Sequence, residues 1–292
     1  MRYVLENDTL RVEIDSFGAE LKSVKRKSDG KEYMWYADKK YWGRTSPVLF
    51  PFVGNCRNKE YRYGGKTYAI GQHGFARDME HTMESQTADT IWFSLHSNEE
   101  TMEKYPFAFV LKIGYNLTGN ELKVMWKVEN PDTKTLYFSI GAHPAFLCPF
   151  NGEENKLGYG LQFAGLKEVH HHGNTPDTGL AVMSEDIVIP LEDEKVYFTP
   201  GFFDRCTYMV EGKQTGEVSL VTPDGKPYVT MDFDAPLFAI WSPEGKDAPF
   251  VCIEPWYGRC DADDFEGTLE ERAYENAVEP EQTFEASYSI RY

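Results

Sequence analysis

The chain has 292 residues, a formal net charge of −17, 26% charged and 15% aromatic residues. That acidity excludes the basic surface that nucleic acid requires and opposes docking on anionic membranes, and the apolar and aromatic content excludes a disordered chain. The five cysteines, Cys56, Cys148, Cys206, Cys252 and Cys260, are odd in number and form no Cys-x-x-Cys pair, which predicts reduced thiols rather than a disulfide framework.

From the N-terminus, Met1–Asp8 is strand-like and already charged, unlike a signal peptide, and no apolar run reaches bilayer-spanning length. A cytoplasmic protein is expected. Leu10–Asp15 alternates apolar and polar residues, the pattern of a half-buried strand. Turn signals follow at Ser28–Gly30 and Tyr63–Gly65, on either side of the buried run Val48–Val53. Glu99–Tyr105 reads as a short helix. Leu122–Val128 alternates after the turn Thr118–Asn120, and Leu136–Gly141 reads as a buried strand. His170-His171-His172 is expected in a solvated polar loop. Val218–Thr222 and Tyr228–Phe233 flank the turn Pro223–Gly225, Phe250–Glu254 reads as a more fully buried strand, and Ser287–Tyr292 alternates again. Asp261, Asp263 and Asp264 are expected in a solvated acidic loop, and Gly267–Glu275 as a second short helical stretch. Many strands joined by tight turns, without strand–helix alternation, predict an all-β fold, a large antiparallel β-sandwich with few short helices. One domain spanning 1–292 is expected, as no repeat or linker interrupts the pattern.

Three blocks place titratable side chains among small and aromatic residues: Gln72-His73-Gly74-Phe75-Ala76-Arg77, Gly141-Ala142-His143-Pro144-Ala145-Phe146 and Ile253-Glu254-Pro255-Trp256-Tyr257-Gly258. An imidazole and a carboxylate are the usual general acid and base near neutral pH, and flat aromatic rings suit the C–H faces of a pyranose. Pro144 restricts the backbone on both sides of the peptide it forms with His143, so the imidazole at 143 is held at a strand end; a structural histidine bonded to backbone fits the block equally well. Glu254 interrupts an apolar strand, where a carboxylate is costly unless it is paired or used. Arg77 beside His73 suits hydroxyl or anion contacts and tends to keep the imidazole neutral; an ion pair with Asp78 or Glu80 is its bland alternative. Arg44 in Tyr41–Pro47 and Asp204 in Phe202–Cys206 fit either ligand contacts or local pairing. His73, His143 and Glu254 lack the close local spacing that zinc ligands show, so no metal and no cofactor are expected.

Taken together, Gly43–Gly54, Gly65–Tyr68, Gln72–Asp78, Gly141–Phe146 and Ala248–Gly258 resemble, in order and over essentially the whole chain, the aldose 1-epimerase (mutarotase) superfamily. More closely they are similar to a bacterial epimerase-like subgroup near the hexose-6-phosphate mutarotases. The resemblance implies a galactose mutarotase-like supersandwich and an isomerase that interconverts the α and β anomers of a hexose, free or phosphorylated. By motif, His143 would be the general acid and Glu254 the general base, with His73, Arg77, Arg44 and Asp204 binding the sugar. After Val53-Gly54 many relatives carry an arginine where this chain has Asn55; either Arg57, two residues on, takes its place or the substrate preference differs. A non-catalytic carbohydrate-binding or regulatory module on the same scaffold is the alternative. The expected partner is a small-molecule sugar, with no nucleic acid and no membrane, in a monomer or weak homodimer.

Overall fold

The computed structural model describes residues 1–292. Two large antiparallel sheets carry the fold, as the alternating pattern predicts. The nine-stranded sheet runs from an edge at Lys195–Tyr197, through the C-terminal strand Thr283–Arg291 at its centre, to an edge at Thr82–Gln86. The eight-stranded sheet runs from Ala181–Pro190, through Phe250–Tyr257, to Val48–Leu49. A three-stranded sheet, Arg2–Glu6, Leu10–Asp15 and Glu20–Arg26, adds the N-terminal segment.

Period two does the sorting. Leu10, Val12 and Ile14 are buried while Arg11, Glu13 and Asp15 are only partly covered. Leu122, Val124, Trp126 and Val128 point inward from Glu121–Glu129, which pairs along its whole length with Thr283–Arg291. Each large apolar side chain removed from water in this way contributes about 1.5–3 kcal/mol. The Phe250–Tyr257 strand is covered on both faces, as its apolar run predicts. Val251 and Ile253 enter the main core, which Leu122, Val124, Leu220 and Met231 of the nine-stranded sheet also enter. Phe250, Cys252 and Trp256 face the other way, into two smaller clusters built on Trp35 and on Leu49, Met209 and Leu237. The functional candidates lie on this second face.

Three expectations need correction. His170, His171 and His172 are not in a loop but in the strand Glu168–Asn174, where Val169 and His171 are buried and His171 packs on Tyr208 with ring centroids 4.5 Å apart; polar composition masked an ordinary alternation. Asp261 is not solvated: it is buried and accepts from Arg272 Nε at 2.7 Å. Gly267–Glu275 contains only a single 3-10 turn, Leu269–Glu271. The Glu99–Lys104 helix does form, closed by a capping box in which the Asn98 side chain accepts from the Thr101 amide at 2.9 Å.

Candidate active site

Two strands that are distant in sequence bring the imidazole at 143 to the carboxylate at 254. Ile140–Ala142 and Ala145–Leu147 both pair with Phe250–Tyr257, in a register that sets Gly141 opposite Trp256 and Ala145 opposite Cys252. The same register runs through His143 opposite Glu254, at the gap between the two short strands. Pro144 has no N–H to give to the ladder, so pairing lapses there and the His143 ring is left beside its cross-strand neighbour. Nδ1 of His143 lies 3.4 Å from Oε1 of Glu254, and the two side chains are 9% and 1% exposed. On the other side of Glu254 the paired residue is Ala239, itself paired with Met209. The small Ala239 side chain leaves room above the sheet.

That room is a cavity of about 420 Å³. It is lined by Glu254, Trp256, Met209, Trp42, Trp241, His73, Arg77 and Asn55, with Asn174, Asp177, Thr178 and Glu244 alongside. Trp42 stacks on the His143 imidazole with centroids 4.6 Å apart and planes 27° from parallel, and Trp241 meets the same ring edge-on at 5.2 Å. These two rings fix the imidazole plane and give flat apolar surface beside it.

His73 stands 5.7 Å from His143, ring to ring. Its backbone has φ +63°, and the next residue, Gly74, has φ +66°. A Cβ at Gly74 would lie 2.3 Å from the Phe50 carbonyl oxygen, so this turn requires glycine. Nδ1 of His73 accepts from the Gly54 amide at 3.0 Å, which puts the ring proton on Nε2. Arg77 donates through Nη2 to the Gln72 carbonyl at 2.7 Å, while its Nε is buried without a hydrogen bond. Arg44 does not line the cavity; it pairs with Asp78 at 2.8 Å, alongside Arg77, whose Nε is 3.7 Å from the same carboxylate.

Burial dominates the electrostatics. It pushes His143 down to about 3, helped by the Arg77 charge. Burial and then Arg77 also hold His73 well below its ordinary value. Burial raises Glu254 well above the usual carboxylate range, opposed by the neighbouring Trp256 indole. Arg77 itself is brought down to about 10, first by burial and then by Arg44. The Nδ1 of His143 and both carboxylate oxygens of Glu254 make no hydrogen bond. Burial thus favours a neutral imidazole and a protonated carboxyl over the ion pair, and three polar atoms are unsatisfied. Buried polar atoms are rarely left so, and hydroxyl groups of a ligand would satisfy them.

Two further predicted contacts, like Arg44, are not brought here. Asp204 borders a separate depression with Lys156, Phe198 and Phe203, and accepts from the Gly245 amide at 3.1 Å. Arg57 turns to Glu266 at 3.2 Å and borders an adjoining groove that shares Asn55, Gln72 and Asp177 with the cavity. A spacing of two places residues on one side only within a strand. Arg57 instead opens a 3-10 turn, Arg57–Lys59, in which Asn58 has positive φ. Sequence reasoning missed Trp42, Trp241, Met209, Glu244 and the Asn174–Gly179 loop. Trp42 alone had a local signal, two residues before Arg44 and just ahead of a matching block.

Comparison with known proteins gives a consistent result. The family described as aldose 1-epimerase matches residues 1–262. The chromosomally encoded protein LacX of Lactococcus lactis subsp. lactis is 31% identical over 297 aligned residues, covering 99% of both chains. A solved galactose mutarotase-related enzyme from Lactobacillus acidophilus superposes with a TM-score of 0.94 at 36% identity, over 100% of this chain and 97% of the other. A galactose mutarotase-like protein from Lactobacillus casei gives 0.90 at 29% identity, over 100% and 99%.

Proposed function

This chain belongs to the aldose 1-epimerase family, and from that premise we propose that it interconverts the α and β anomers of a free hexose by general acid and base catalysis at His143 and Glu254. The observation that carries this reading is the cross-strand pair itself: an imidazole and a carboxylate 3.4 Å apart, both buried and both without hydrogen bonds, under a sugar-sized cavity.

In the cyclic complex the ionised Glu254 takes the proton of the anomeric hydroxyl, and protonated His143 gives its proton to the ring oxygen. The bond between C1 and the ring oxygen breaks and the aldehyde forms. The pair is then left with a neutral imidazole and a protonated carboxyl, the distribution that burial favours in the free protein. Rotation about C1–C2 and reversal of both transfers closes the other anomer. The total proton count on the pair never changes, so no exchange with solvent is needed. Trp42, stacked on the ring, favours the imidazolium that the cyclic complex requires. Nε2–H of His73 and the Arg77 guanidinium supply donors for sugar hydroxyls.

An uncharged sugar fits the charges better than a phosphorylated one. Arg77 is the only guanidinium lining the cavity, it is already engaged by Gln72, and Asp177 and Glu244 stand on the same walls. The test is polarimetry of fresh α-glucose and α-galactose against their 6-phosphates. Glu254→Gln and His143→Asn should each slow anomerisation by about 10²–10⁴-fold with the melting temperature preserved. Wild-type rates in both variants would refute the assignment. Sugar binding without any rate enhancement would instead leave a carbohydrate-binding module.

A further inference from the structure

Cys252 precedes Glu254 by two residues on one strand, so both side chains stand on the same face. Cys252 is completely buried and takes no part in the proton transfers above. One donor atom each from His143, Cys252 and Glu254 lie within 4.8 Å of one another. We propose that His143, Cys252 and Glu254 form a tridentate site for a thiophilic divalent cation, Zn²⁺ in the first instance, and that its occupation blocks the active site.

The geometry suits zinc. Two ligand bonds of about 2.0–2.1 Å at a tetrahedral angle put nitrogen and oxygen about 3.4 Å apart, and Nδ1 of His143 and Oε1 of Glu254 are 3.4 Å apart. The sulfur must close by about 1 Å to reach a Zn–S bond of about 2.3 Å, a movement within reach of a turn about the cysteine Cα–Cβ bond. Of the three, His143 and Glu254 line the cavity, so water or a sugar hydroxyl from that side would complete the set. The donor set is also free: neither Nδ1 nor either oxygen of Glu254 has a hydrogen bond to lose. A thiolate among the ligands selects zinc or cadmium over magnesium or calcium.

The charges balance. Zinc forms bonds to the imidazole nitrogen, the carboxylate oxygen and the sulfur. The S–H bond of Cys252 and the O–H bond of the Glu254 carboxyl break, and two protons leave to the buffer. Thiolate and carboxylate then neutralise the divalent charge inside the protein, which removes the cost of burying either alone. His73 and Glu254, with His143, are the trio whose spacing suggested no metal; Cys252 supplies the local pair that they lack.

Binding does not depend on the proposed reaction, whereas the inhibition does, so the two are read separately. In the full-length, chelator-treated protein, Co²⁺ should bind with one equivalent and give intense tetrahedral visible bands and a thiolate-to-metal band in the near ultraviolet. Zn²⁺ should displace it. Cys252→Ala should abolish the thiolate band and weaken binding by about a hundredfold or more, since even outer-shell partners of a metal are worth about 10–100-fold. Cys260→Ala should leave both unchanged; Cys260 also borders the cavity, with Met209 Sδ at 3.7 Å. Zn²⁺ should slow mutarotation, competitively with sugar, in the wild type and far less in Cys252→Ala, each compared with its own metal-free rate. A spectrum without a thiolate band, or a band that survives Cys252→Ala or vanishes in Cys260→Ala, overturns the site. A protein with no mutarotase activity but the predicted spectra keeps the site and loses only the inhibition.

Discussion

His73 is clamped from two directions. Its amide donates to the Gly54 carbonyl at 2.8 Å, and the Gly54 amide donates to its ring at 3.0 Å. Rigid placement of one donor is what a binding residue needs, and nothing in the geometry puts this ring in the proton path between His143 and Glu254. His73→Ala should therefore raise KM about fivefold to tenfold, the worth of one hydrogen bond of about 1–1.5 kcal/mol, and leave kcat within about threefold. A kcat loss as deep as that of His143→Asn would move His73 into the chemistry. Arg77 shows why residue identity alone was an incomplete guide. The sequence offered it as a substrate contact or an ion pair, and the two readings do not compete: it lines the cavity and also shares Asp78 with Arg44. Arg57 and Asp204 carried comparable promise in sequence and turn elsewhere, because the direction of a side chain in a turn depends on dihedral angles that spacing does not encode.

At the level of elements, the segment Gln72–Asp78 is a spacer between the sheet and the cavity. The Phe50 carbonyl accepts from both Phe75 and Ala76, at 3.0 and 3.1 Å, and Gly74 passes against it with positive φ. Gly74→Ala should cost about 3 kcal/mol through backbone strain and steric contact together, with weakened sugar binding as His73 shifts. Denaturant unfolding of the variant checks this, and a stability within 0.5 kcal/mol of wild type, about the spread of neutral surface changes, would contradict it. Strands were the most legible elements. Leu10–Asp15 was readable to the residue, and Phe250–Tyr257 was readable in type although it extends through Pro255. Pairing partners were not readable. No local pattern announces that Ala145 meets Cys252, and the site depends on that register. Trp42 and Trp241 reach the cavity through the same non-local geometry.

For the molecule as a whole, the buried titratable groups set the response to acid. His143 and His81 are held down to about 3 and 4, and His73 well below its ordinary value, all chiefly by burial. Each is neutral when folded and takes up a proton when unfolded below about 6.5, so each favours unfolding as the pH falls from there. Glu254 and Glu275 work in the opposite sense: burial raises Glu275 to about 7 and Glu254 well above 4.5, so both keep protons that the unfolded chain releases. With His171, also lowered chiefly by burial, these histidines outnumber the two carboxyl groups, so stability should slope downward as the pH falls from about 6.5 to 4.5. Urea unfolding across that window should show this slope, and a stability that rises on acidification would contradict it.

The meeting of His143 and Glu254 across one ladder also ties chemistry to the folding process. Hairpins such as Glu60–Tyr63 with Lys66–Ala69 close over a two-residue turn and form early. The junction of Ala145–Leu147 with Phe250–Tyr257 joins remote stretches of chain and must first meet a large loop-closure entropy. Turnover during refolding would then return only with this last, long-range closure, and a half-assembled chain, however rich in strand, would be catalytically silent.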